Sequence, residues 1–234
     1  GKKAREFNLP GIGNEVEDVI VARDIILAKA AKAKLHLCHC STKDSVTFIK
    51  MAKEEQIPVT AEVCPHHFTM SEDEIMTDHG NYKMNPPLRR REDVIALKEG
   101  LRDNIIDVIA TDHAPHGEEE KNQSMKEAPF GIVGLETGFA LTMTELVKTG
   151  YLSPLQMVEK LSYNPARILG IEKGSLSPGK IADIVIGDPQ VRYKIDKNEF
   201  ASKGHTTPFH GTEVYGRIET TIVSGKVVYQ YNQE

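Results

Sequence analysis

Residues 105–116 read IIDVIATDHAPH, an apolar run that ends abruptly in acid and imidazole side chains. The run at 105–109 predicts a buried strand, and parallel α/β folds place their chemistry at the carboxyl ends of such strands. Asp112 can ligate a metal or carry a proton, and His113 and His116 can ligate, donate or orient. A polar loop that only caps the strand would better explain a single histidine, whereas the whole string favours a functional site.

The sequence around this run alternates predicted strands with predicted helices. Strands are expected at residues 35–40, 59–63 and 105–109, and helices at residues 14–27, 42–52, 92–101 and 133–147. Alternation at this spacing is typical of a parallel sheet in an α/β fold. Because a closed barrel of this kind usually has eight strands, the chain forms either a small open sheet or the later part of a barrel.

Local signals mark the ends of several helices. Asn14, with Glu17 three residues on, predicts the start of the first helix, and Ser41-Thr42 predicts the start of the second. Asn164-Pro165 is a cap-then-proline helix start, and Gly170 is a helix stop. The apolar pattern of the first helix consists of Val16, Val19, Ile20, Ile26 and Leu27.

Beyond Gly174 the sequence changes from helical to β patterns. Strands are expected at residues 182–186, 220–223 and 226–229. Ser224-Gly225 predicts a two-residue hairpin turn between the last two strands. Residues 194–211 are polar, with few apolar anchors, and are expected to form a surface loop. We therefore divide the chain into a domain at 1–174 and a small β segment at 175–234.

Composition narrows the possible partners and compartments. With 39% hydrophobic and 27% charged residues, the 234-residue chain has the make-up of a soluble globular protein. Its net charge of −5 gives no reason to expect a nucleic-acid or anionic-membrane partner. No apolar stretch is long enough to span a bilayer, and we expect no signal peptide. Cys38, Cys40 and Cys64 lack the paired spacing of a disulfide framework or a zinc–thiolate site, and reduced thiols fit a cytoplasmic location.

A second chemical candidate ends the predicted strand at 35–40. Alternation places Leu35, Leu37 and His39 on one face, and His36, Cys38 and Cys40 on the other. His39 is the better metal ligand because it lies at the carboxyl end of its strand, and His36 is better explained as a structural residue. We expect the side chains of His39 and Asp112 to converge at the carboxyl ends of neighbouring parallel strands, within reach of one ion.

Three loops offer further polar groups. For His66 and His67, which follow the strand at 59–63, a structural or hydrogen-bonding role is favoured over direct metal ligation. Asn85 offers a donor and an acceptor that suit the imide edge of a small ring, and turn chemistry alone explains it equally well. The loop with Phe130 and Gly131 permits close backbone approach to a ligand, although such a pattern is a weak signal by itself.

Several motifs together carry a resemblance to a known family. They are LCHCSTK at 37–43, VTAEVCPHH at 59–67, KMNPPLR at 83–89, ATDHAPH at 110–116, APFGIVG at 128–134 and GKIADIV at 179–185. Through them the chain resembles the C-terminal part of the bacterial dihydroorotases, amidohydrolase-superfamily enzymes of pyrimidine biosynthesis. The resemblance implies a (β/α)₈ TIM barrel with a small β-sandwich domain, active as a cytoplasmic homodimer.

The resemblance also implies a reaction and its residues. His39 corresponds to a zinc ligand, and Asp112 to both a zinc ligand and the catalytic acid/base of a site that holds two Zn²⁺ ions. Asn85, His116 and the loop of Phe130 and Gly131 correspond to the groups that bind the small-molecule substrate. The implied reaction is the reversible cyclisation of N-carbamoyl-L-aspartate to dihydroorotate.

The family pattern includes earlier metal ligands that have no counterpart in this sequence. They are a His-x-His pair followed by an arginine, a bridging acidic or carboxylated-lysine ligand, and a further histidine. We therefore expect the chain to be a fragment that is inactive by itself and either poorly soluble or oligomeric. Two alternatives remain: another cyclic amidase, such as an allantoinase or a hydantoinase, and a non-catalytic homologue that serves as a scaffold for a partner enzyme.

Overall fold

A three-stranded parallel sheet forms in the first half of the chain. The computed structural model describes residues 1–231. The strands of this sheet are β1 (Leu35–Leu37), β2 (Val59–Val63) and β3 (Val108–Ile109). They lie in the order β1-β2-β3, and β2 pairs with both of its neighbours in parallel. The parallel pairing brings the three carboxyl ends to one edge of the sheet.

Helices flank and connect these strands. Before the sheet lie α1 (Lys2–Glu6) and α2 (Asn14–Ala31), and between its strands lie α3 (Lys43–Glu54), α4 (Pro65–Thr69) and α5 (Arg91–Arg102). After β3 follow α6 (Glu118–Lys121), α7 (Leu135–Thr142), α8 (Pro154–Val158) and α9 (Asn164–Leu169). The predicted alternation of strands and helices is confirmed. None of the helices within residues 1–231 combines the length and the apolar character that crossing a membrane requires.

Short turns complete the helical part. π-Helical turns at Met143–Val147 and Glu159–Tyr163 extend α7 and join α8 to α9. The helix predicted at 133–147 is therefore a shorter α-helix that continues as a π turn. Short 3₁₀ turns lie at Glu72–Glu74, Gly80–Tyr82 and Lys197–Glu199.

β3 is shorter than the strand predicted at 105–109. The backbone N–H groups of Ile105 and Ile106 donate to the carbonyl of Gly100 in α5, at 2.8 and 2.9 Å. The carboxylate of Asp107 accepts the N–H of Ala61 in β2 at 2.9 Å. Since a helix end and a side chain take these groups, only the last two residues of the apolar run enter the sheet.

β1 is also shorter than predicted, because the backbone leaves the extended conformation at His39. This residue has a φ of 39°, in the left-handed region. The alternation expected through Cys40 therefore fails: Cys38 is exposed and Cys40 is buried, although the pattern had placed both on one face.

Two helices begin at the predicted residues, Asn14 and Asn164, but the expected caps are wrong because tertiary contacts take the capping groups. The N-cap of α2 is Gly13, without a side-chain cap, and the Asn14 amide instead donates to Asp93 at 3.0 Å. Asn164 follows a residue that is already helical, and its amide donates to the carbonyl of Asp107 at 2.9 Å. In both cases a long-range partner competes successfully with the local helix end.

Other helix ends follow their sequence signals. Thr42 caps α3 by accepting the N–H of Ser45 at 3.1 Å, and Gly170 ends α9 with a φ of 67°. The expected apolar pattern of α2 is exposed, with Val16, Val19, Ile20, Ile26 and Leu27 at 42–66% of full exposure. The residues of α2 that pack into the core are Val21, Ile25 and Ala28.

A second, antiparallel sheet lies near the end of the described chain. Its strands are β4 (Ile184–Lys194), β5 (Glu213–Val223) and β6 (Lys226–Gln230), in the order β4-β5-β6. Ser224 and Gly225 have φ values of 50° and 78°, as a type I′ hairpin turn requires. The hairpin predicted from these two residues is confirmed.

The segment between β4 and β5 is the predicted loop, but it is anchored. Thr206, Thr207 and Phe209 are buried in it. Phe209 packs in one apolar cluster with Met84, Leu88, Ile132, Leu141, Ile195 and Val214. This cluster joins residues from both sides of position 174, so the antiparallel sheet shares its core with the helical part.

A buried ion pair connects α2 with the segment that precedes α5. The Arg89 guanidinium donates to a carboxylate oxygen of Glu17 at 3.4 Å, to the Ser41 hydroxyl at 2.9 Å and to the Ile12 carbonyl at 2.9 Å. The side chains of Arg89 and Glu17 are only 5% and 12% exposed. Glu17 also accepts the N–H of Ser41 at 2.7 Å and the hydroxyl of Ser45 at 2.9 Å, so the charges of both partners are largely satisfied.

Replacing Arg89 by methionine should be strongly destabilising. Arg89→Met leaves Glu17 buried without its cation, and breaking a buried pair from one side costs about 3–5 kcal/mol of unfolding free energy. The adjacent Arg90→Met is the matched control, because the Arg90 side chain is 68% exposed and should lose at most about 1 kcal/mol. Urea denaturation of both variants measures the difference, and equal losses would contradict the role given to the Arg89–Glu17 pair.

Candidate metal and substrate site

His39 and Asp112 both emerge at the carboxyl edge of the parallel sheet. His39 follows β1 and Asp112 follows β3, so that β2 lies between their strands, and the expectation that these strands are neighbours is wrong. Both residues have positive φ values, 39° for His39 and 47° for Asp112. Non-glycine residues held in this region are uncommon and concentrate at functional sites.

Glu62, on the central strand, contributes to the electrostatics of this edge. Its carboxylate accepts the backbone N–H of His39 at 3.4 Å and contacts the His36 Nε2 at 3.1 Å. Burial raises the pKa of Asp112, the charge of nearby His39 opposes this rise, and the charge of Glu62 adds to it. The His36 Nδ1 is also hydrogen-bonded, to the Thr60 hydroxyl at 2.8 Å, as expected of a structural histidine.

The residues at this edge fit part of a zinc site. An imidazole nitrogen and a carboxylate oxygen, as offered by His39 and Asp112, are ordinary zinc ligands, but catalytic sites use about three protein ligands for each ion. Within residues 1–231, the groups of three whose possible ligand atoms lie within 4.8 Å of one another are Cys64–His66–His67 and His36–Cys38–Glu62. Neither group contains His39 or Asp112.

His113 anchors the Asp112 segment to α7. Its Nδ1 accepts the backbone N–H groups of Gly134 at 3.1 Å and Leu135 at 3.4 Å. The N–H of Ala114 donates to the carbonyl of Ile132 at 2.9 Å. Because these bonds occupy Nδ1, this nitrogen of His113 orients the loop and is not free to bind a metal.

Three of the residues expected to bind substrate lie together. The His116 Nε2 donates to the carbonyl of Phe130 at 2.8 Å. Gly131 has a φ of +126°, and a Cβ at this position would lie 2.7 Å from the Ala114 carbonyl oxygen. The N–H of Gly131 donates to the carbonyl of Lys83 at 3.0 Å, so this N–H is not free to bind a ligand. What Gly131 offers is a backbone that a ligand can approach closely.

The loop that contains Asn85 is fixed on both sides. Asn85 is exposed, between the buried residues Met84 and Pro86. On one side, the buried Lys121 ammonium donates to the carbonyls of Lys83 at 3.1 Å and Pro129 at 2.8 Å. Lys121 therefore ties the Asn85 loop to the Phe130 loop.

On the other side of the Asn85 loop lie the two adjacent histidines. The His67 Nε2 donates to the carbonyl of Pro86 at 2.8 Å, so the predicted hydrogen-bonding role of His67 is confirmed. His66 and His67 are each 2% exposed, and the His66 Nε2 and the His67 Nδ1 have no hydrogen-bond partner within the described residues. Burial lowers the pKa of His66 well below its usual value and that of His67 to about 4.

Sequence reasoning missed two residues that shape the site. Lys121 ends the run EEEK at 118–121, which has the pattern of a solvated charged helix, and nothing local indicates that its ammonium is buried. Glu62 is different, because it alternates with Val59, Ala61 and Val63 in a buried strand. A charged residue in that pattern, close to a predicted site, is a usable signal.

The sequence model of the amidohydrolase family matches residues 11–228 of the chain. The chain belongs to the amidohydrolase family. It is 50% identical over 230 residues to the dihydroorotase of Lactobacillus leichmannii, an alignment that covers 98% of this chain and 54% of that protein. It is 52% identical over 224 residues to the dihydroorotase of Pelotomaculum thermopropionicum, covering 96% and 52%. The resemblance inferred from the motifs is confirmed, and the chain spans about half the length of the curated relatives it matches.

Solved structures of this amidohydrolase family share the fold. The L-hydantoinase (dihydropyrimidinase) from Arthrobacter aurescens matches with a TM-score of 0.87 at 32% identity, over 93% of this chain and 49% of that one. The dihydropyrimidinase from Brevibacillus agri NCHU1002 matches with a TM-score of 0.86 at 27% identity, over the same shares. These likenesses support the predicted α/β class.

Gly131→Ala should disrupt the His116–Phe130 loop. The added Cβ would lie 2.6 Å from the Ala114 Cβ, on a backbone that L side chains rarely adopt. Gly211→Ala is the matched control, because Gly211 also has a positive φ of +78° but has nothing within 4 Å of the added atom. Thermal unfolding should show a clearly larger loss for Gly131→Ala. Equal losses would mean that φ strain alone, and not close packing, selects glycine here.

Lys121→Met should loosen the two loops. The change leaves the Pro129 carbonyl without the ammonium donor and the Lys83 carbonyl with only the Gly131 N–H, which costs about 1–3 kcal/mol. The exposed Lys126→Met is the control and should stay within about 0.5 kcal/mol. Denaturant unfolding measures both changes, and a neutral Lys121→Met would contradict the role of the ammonium.

The effect of Lys121 should depend on pH. Burial lowers its pKa to about 8, whereas an unfolded lysine titrates near about 10.4. Between these values the unfolded chain binds more protons, so the contribution of Lys121 to stability rises with pH. The difference in unfolding free energy between wild type and Lys121→Met should therefore grow from about pH 8 to about pH 10. A constant difference would argue against the lowered pKa.

Proposed function

We propose that the protein containing this chain is a zinc-dependent dihydroorotase that interconverts N-carbamoyl-L-aspartate and dihydroorotate. The 50% identity to a dihydroorotase over 98% of the chain carries the proposal. The family match at residues 11–228 includes every residue assigned to the site.

We also propose the architecture that the resemblance implies. Residues 1–174 would form the later part of a (β/α)₈ barrel, and residues 175–234 a segment of the small β-sandwich domain. The parallel sheet with its connecting helices supports the first assignment, and the antiparallel sheet supports the second. The assembly would be a homodimer in the cytoplasm, acting on a small molecule.

His39 and Asp112 would hold zinc through an imidazole nitrogen and a carboxylate oxygen. Bound zinc lowers the pKa of water to about 7 and polarises a carbonyl oxygen. Because these two ligands are only part of the set that two zinc ions need, we propose that the 234-residue segment alone is inactive.

Asp112 would move the proton. In ring opening, its carboxylate takes a proton from the attacking water and delivers it to the ring nitrogen that leaves the amide carbonyl. In ring closure, the carboxylate accepts the proton of the carbamoyl nitrogen as the C–N bond forms, and it returns this proton to the oxygen that leaves the carboxyl carbon as water. Partial burial and the nearby Glu62 charge raise the pKa of Asp112, which favours the protonated intermediate that this shuttle needs.

The surrounding loops would bind the substrate ring and its carboxylate. His116 already donates through Nε2 to Phe130, so its Nδ1, which lies 4.0 Å from a carboxylate oxygen of Glu120, is the nitrogen left for a ligand. The exposed Asn85 amide would pair with the ring imide, which needs one donor and one acceptor. Gly131 would allow the ring to approach the backbone.

A second candidate is a cyclic amidase that acts on a hydantoin or dihydropyrimidine ring. The L-hydantoinase (dihydropyrimidinase) match with a TM-score of 0.87 favours it. The lower identity of 32%, against 50% for a dihydroorotase, favours the first proposal. Comparing kcat/KM for dihydroorotate with that for dihydrouracil and hydantoin would separate the two, and a preference for an uncarboxylated ring would overturn the dihydroorotase proposal.

Asp112→Asn should abolish most turnover in the protein at its natural length. An amide cannot shuttle the proton and is a poorer ligand, so kcat for dihydroorotate hydrolysis should fall by at least about 10²-fold with the fold retained. Asp103→Asn, an exposed change, is the control and should leave kcat unchanged. Near-normal turnover of Asp112→Asn would rule out the assigned role. No turnover in the wild type would reject the dihydroorotase proposal in favour of a non-catalytic scaffold protein.

A further inference from the structure

Cys64, His66 and His67 form a buried cluster of three possible metal ligands. Cys64 directly follows β2 and is the N-cap residue of α4, and the two histidines lie in the first turn of α4. Their exposures are 0%, 2% and 2%, and one ligand atom from each lies within 4.8 Å of the others. Sequence alone favoured a structural role for both histidines, since nothing local shows that their nitrogens meet a sulfur in the interior.

The hydrogen bonding of His67 leaves one nitrogen free. Because Nε2 donates to the Pro86 carbonyl at 2.8 Å, the neutral ring carries its lone pair on Nδ1, and this buried atom has no partner among residues 1–231. Metal-ligating histidines commonly donate their other ring N–H to a backbone carbonyl in this way. His67 thus has the hydrogen bond to a backbone carbonyl that is common among metal-binding histidines.

His66 adds a second buried nitrogen without a partner among the described residues. Its Nε2 is buried without a hydrogen bond in the described part of the chain, and the two imidazole rings meet edge to face, with centroids 4.2 Å apart. Buried polar atoms are nearly always paired with protein or water. Two buried nitrogens without partners among residues 1–231, on residues that each bring a ligand atom close to the Cys64 sulfur, therefore call for an occupant.

The chemistry of the three donors selects the kind of occupant. A thiolate and two neutral imidazoles suit a borderline-soft cation such as Zn²⁺ and not Mg²⁺ or Ca²⁺, which take oxygen ligands. Burial raises the pKa of the Cys64 thiol well above its usual value, and the charges of Asp112 and Glu62 add to this rise. A cation bound beside the sulfur would offset both effects.

We propose that Cys64, His66 and His67 bind a thiophilic divalent cation, Zn²⁺ in the first instance. The site uses none of the residues assigned above to the amidohydrolase zinc ions, and its existence does not depend on dihydroorotase activity. Through the His67–Pro86 hydrogen bond, the bound cation would also hold the Asn85 loop in place.

Cobalt substitution tests the site directly. The protein at its natural length is stripped with a chelator and titrated with Co²⁺, whose bond to a thiolate gives a near-ultraviolet charge-transfer band. Co²⁺ held by His39 and Asp112 gives no such band, because these residues offer only nitrogen and oxygen. We expect a saturable thiolate band in the wild type, its complete loss in Cys64→Ser, and its displacement by Zn²⁺.

The other cysteines supply matched controls. Cys40→Ser changes a buried thiol and Cys38→Ser an exposed one, and both variants should keep the band. A wild type without the band would overturn the proposal. So would a band that survives in Cys64→Ser, and its loss in Cys38→Ser would place the cation at the His36–Cys38–Glu62 group instead.

A second variant guards against misfolding of Cys64→Ser. His66→Phe removes a buried nitrogen that has no hydrogen-bond partner within residues 1–231, so the metal-free protein should fold at least as well as the wild type by circular dichroism. Its Co²⁺ affinity should fall by more than about tenfold, since even partners outside the ligand set account for about 10–100-fold. Unchanged affinity in a folded His66→Phe would reject His66 as a ligand and the three-residue site with it.

Discussion

The buried ion pair between Arg89 and Glu17 holds together the segments from which the site is built. Arg89 ends the Asn85 loop, Glu17 lies on α2, and both contact Ser41, which closely follows His39. Removing two charges from water is costly, and the Coulomb attraction offsets this only where the remaining donors and acceptors are also paired. Here Ile12, Ser41 and Ser45 supply those partners, so the geometry of three separate segments is coupled at a single point.

Parallel connectivity explains why the chemistry collects at one edge. Each strand ends on the same side, and the segment after β3 is fixed by contacts to other parts of the chain: His113 to the start of α7, His116 to Phe130, and Lys121 to Lys83. The antiparallel sheet packs against these loops through the apolar cluster that contains Phe209. The edge also concentrates unfavourable features, since it combines positive φ values, a buried ammonium and unpaired imidazole nitrogens. Such features persist where the surrounding structure over-determines them.

The comparisons show a shared fold at modest sequence identity, 27% and 32% to the two solved structures. The match to hydantoinase and dihydropyrimidinase structures, with TM-scores of 0.86 and 0.87, concerns mainly the backbone. In the proposed dihydroorotase, discrimination between a carboxylated and an uncarboxylated ring would come from loop side chains, of which the exposed Asn85 and the half-buried His116 are the polar candidates. A site built to hydrogen-bond a substrate group strongly rejects analogues without that group. Lys121 matters for this reason, because it sets the distance between the loops that carry Asn85 and Phe130.

The sequence by itself determined the α/β class, the alternation of strands and helices, the Ser224-Gly225 hairpin and the strand-end position of Asp112. These features depend on local propensity and on periodicity, which neighbouring residues in the chain are sufficient to specify. Only the tertiary structure decided that β2 separates the strands of His39 and Asp112, that Asn14 bonds to Asp93 instead of capping α2, and that His39 leaves the strand. It also decided that Lys121, in a run that looks solvated, is buried. Each of these depends on a partner far away in sequence, and a long-range hydrogen bond in the interior outweighs the weak preference of a local cap or pattern.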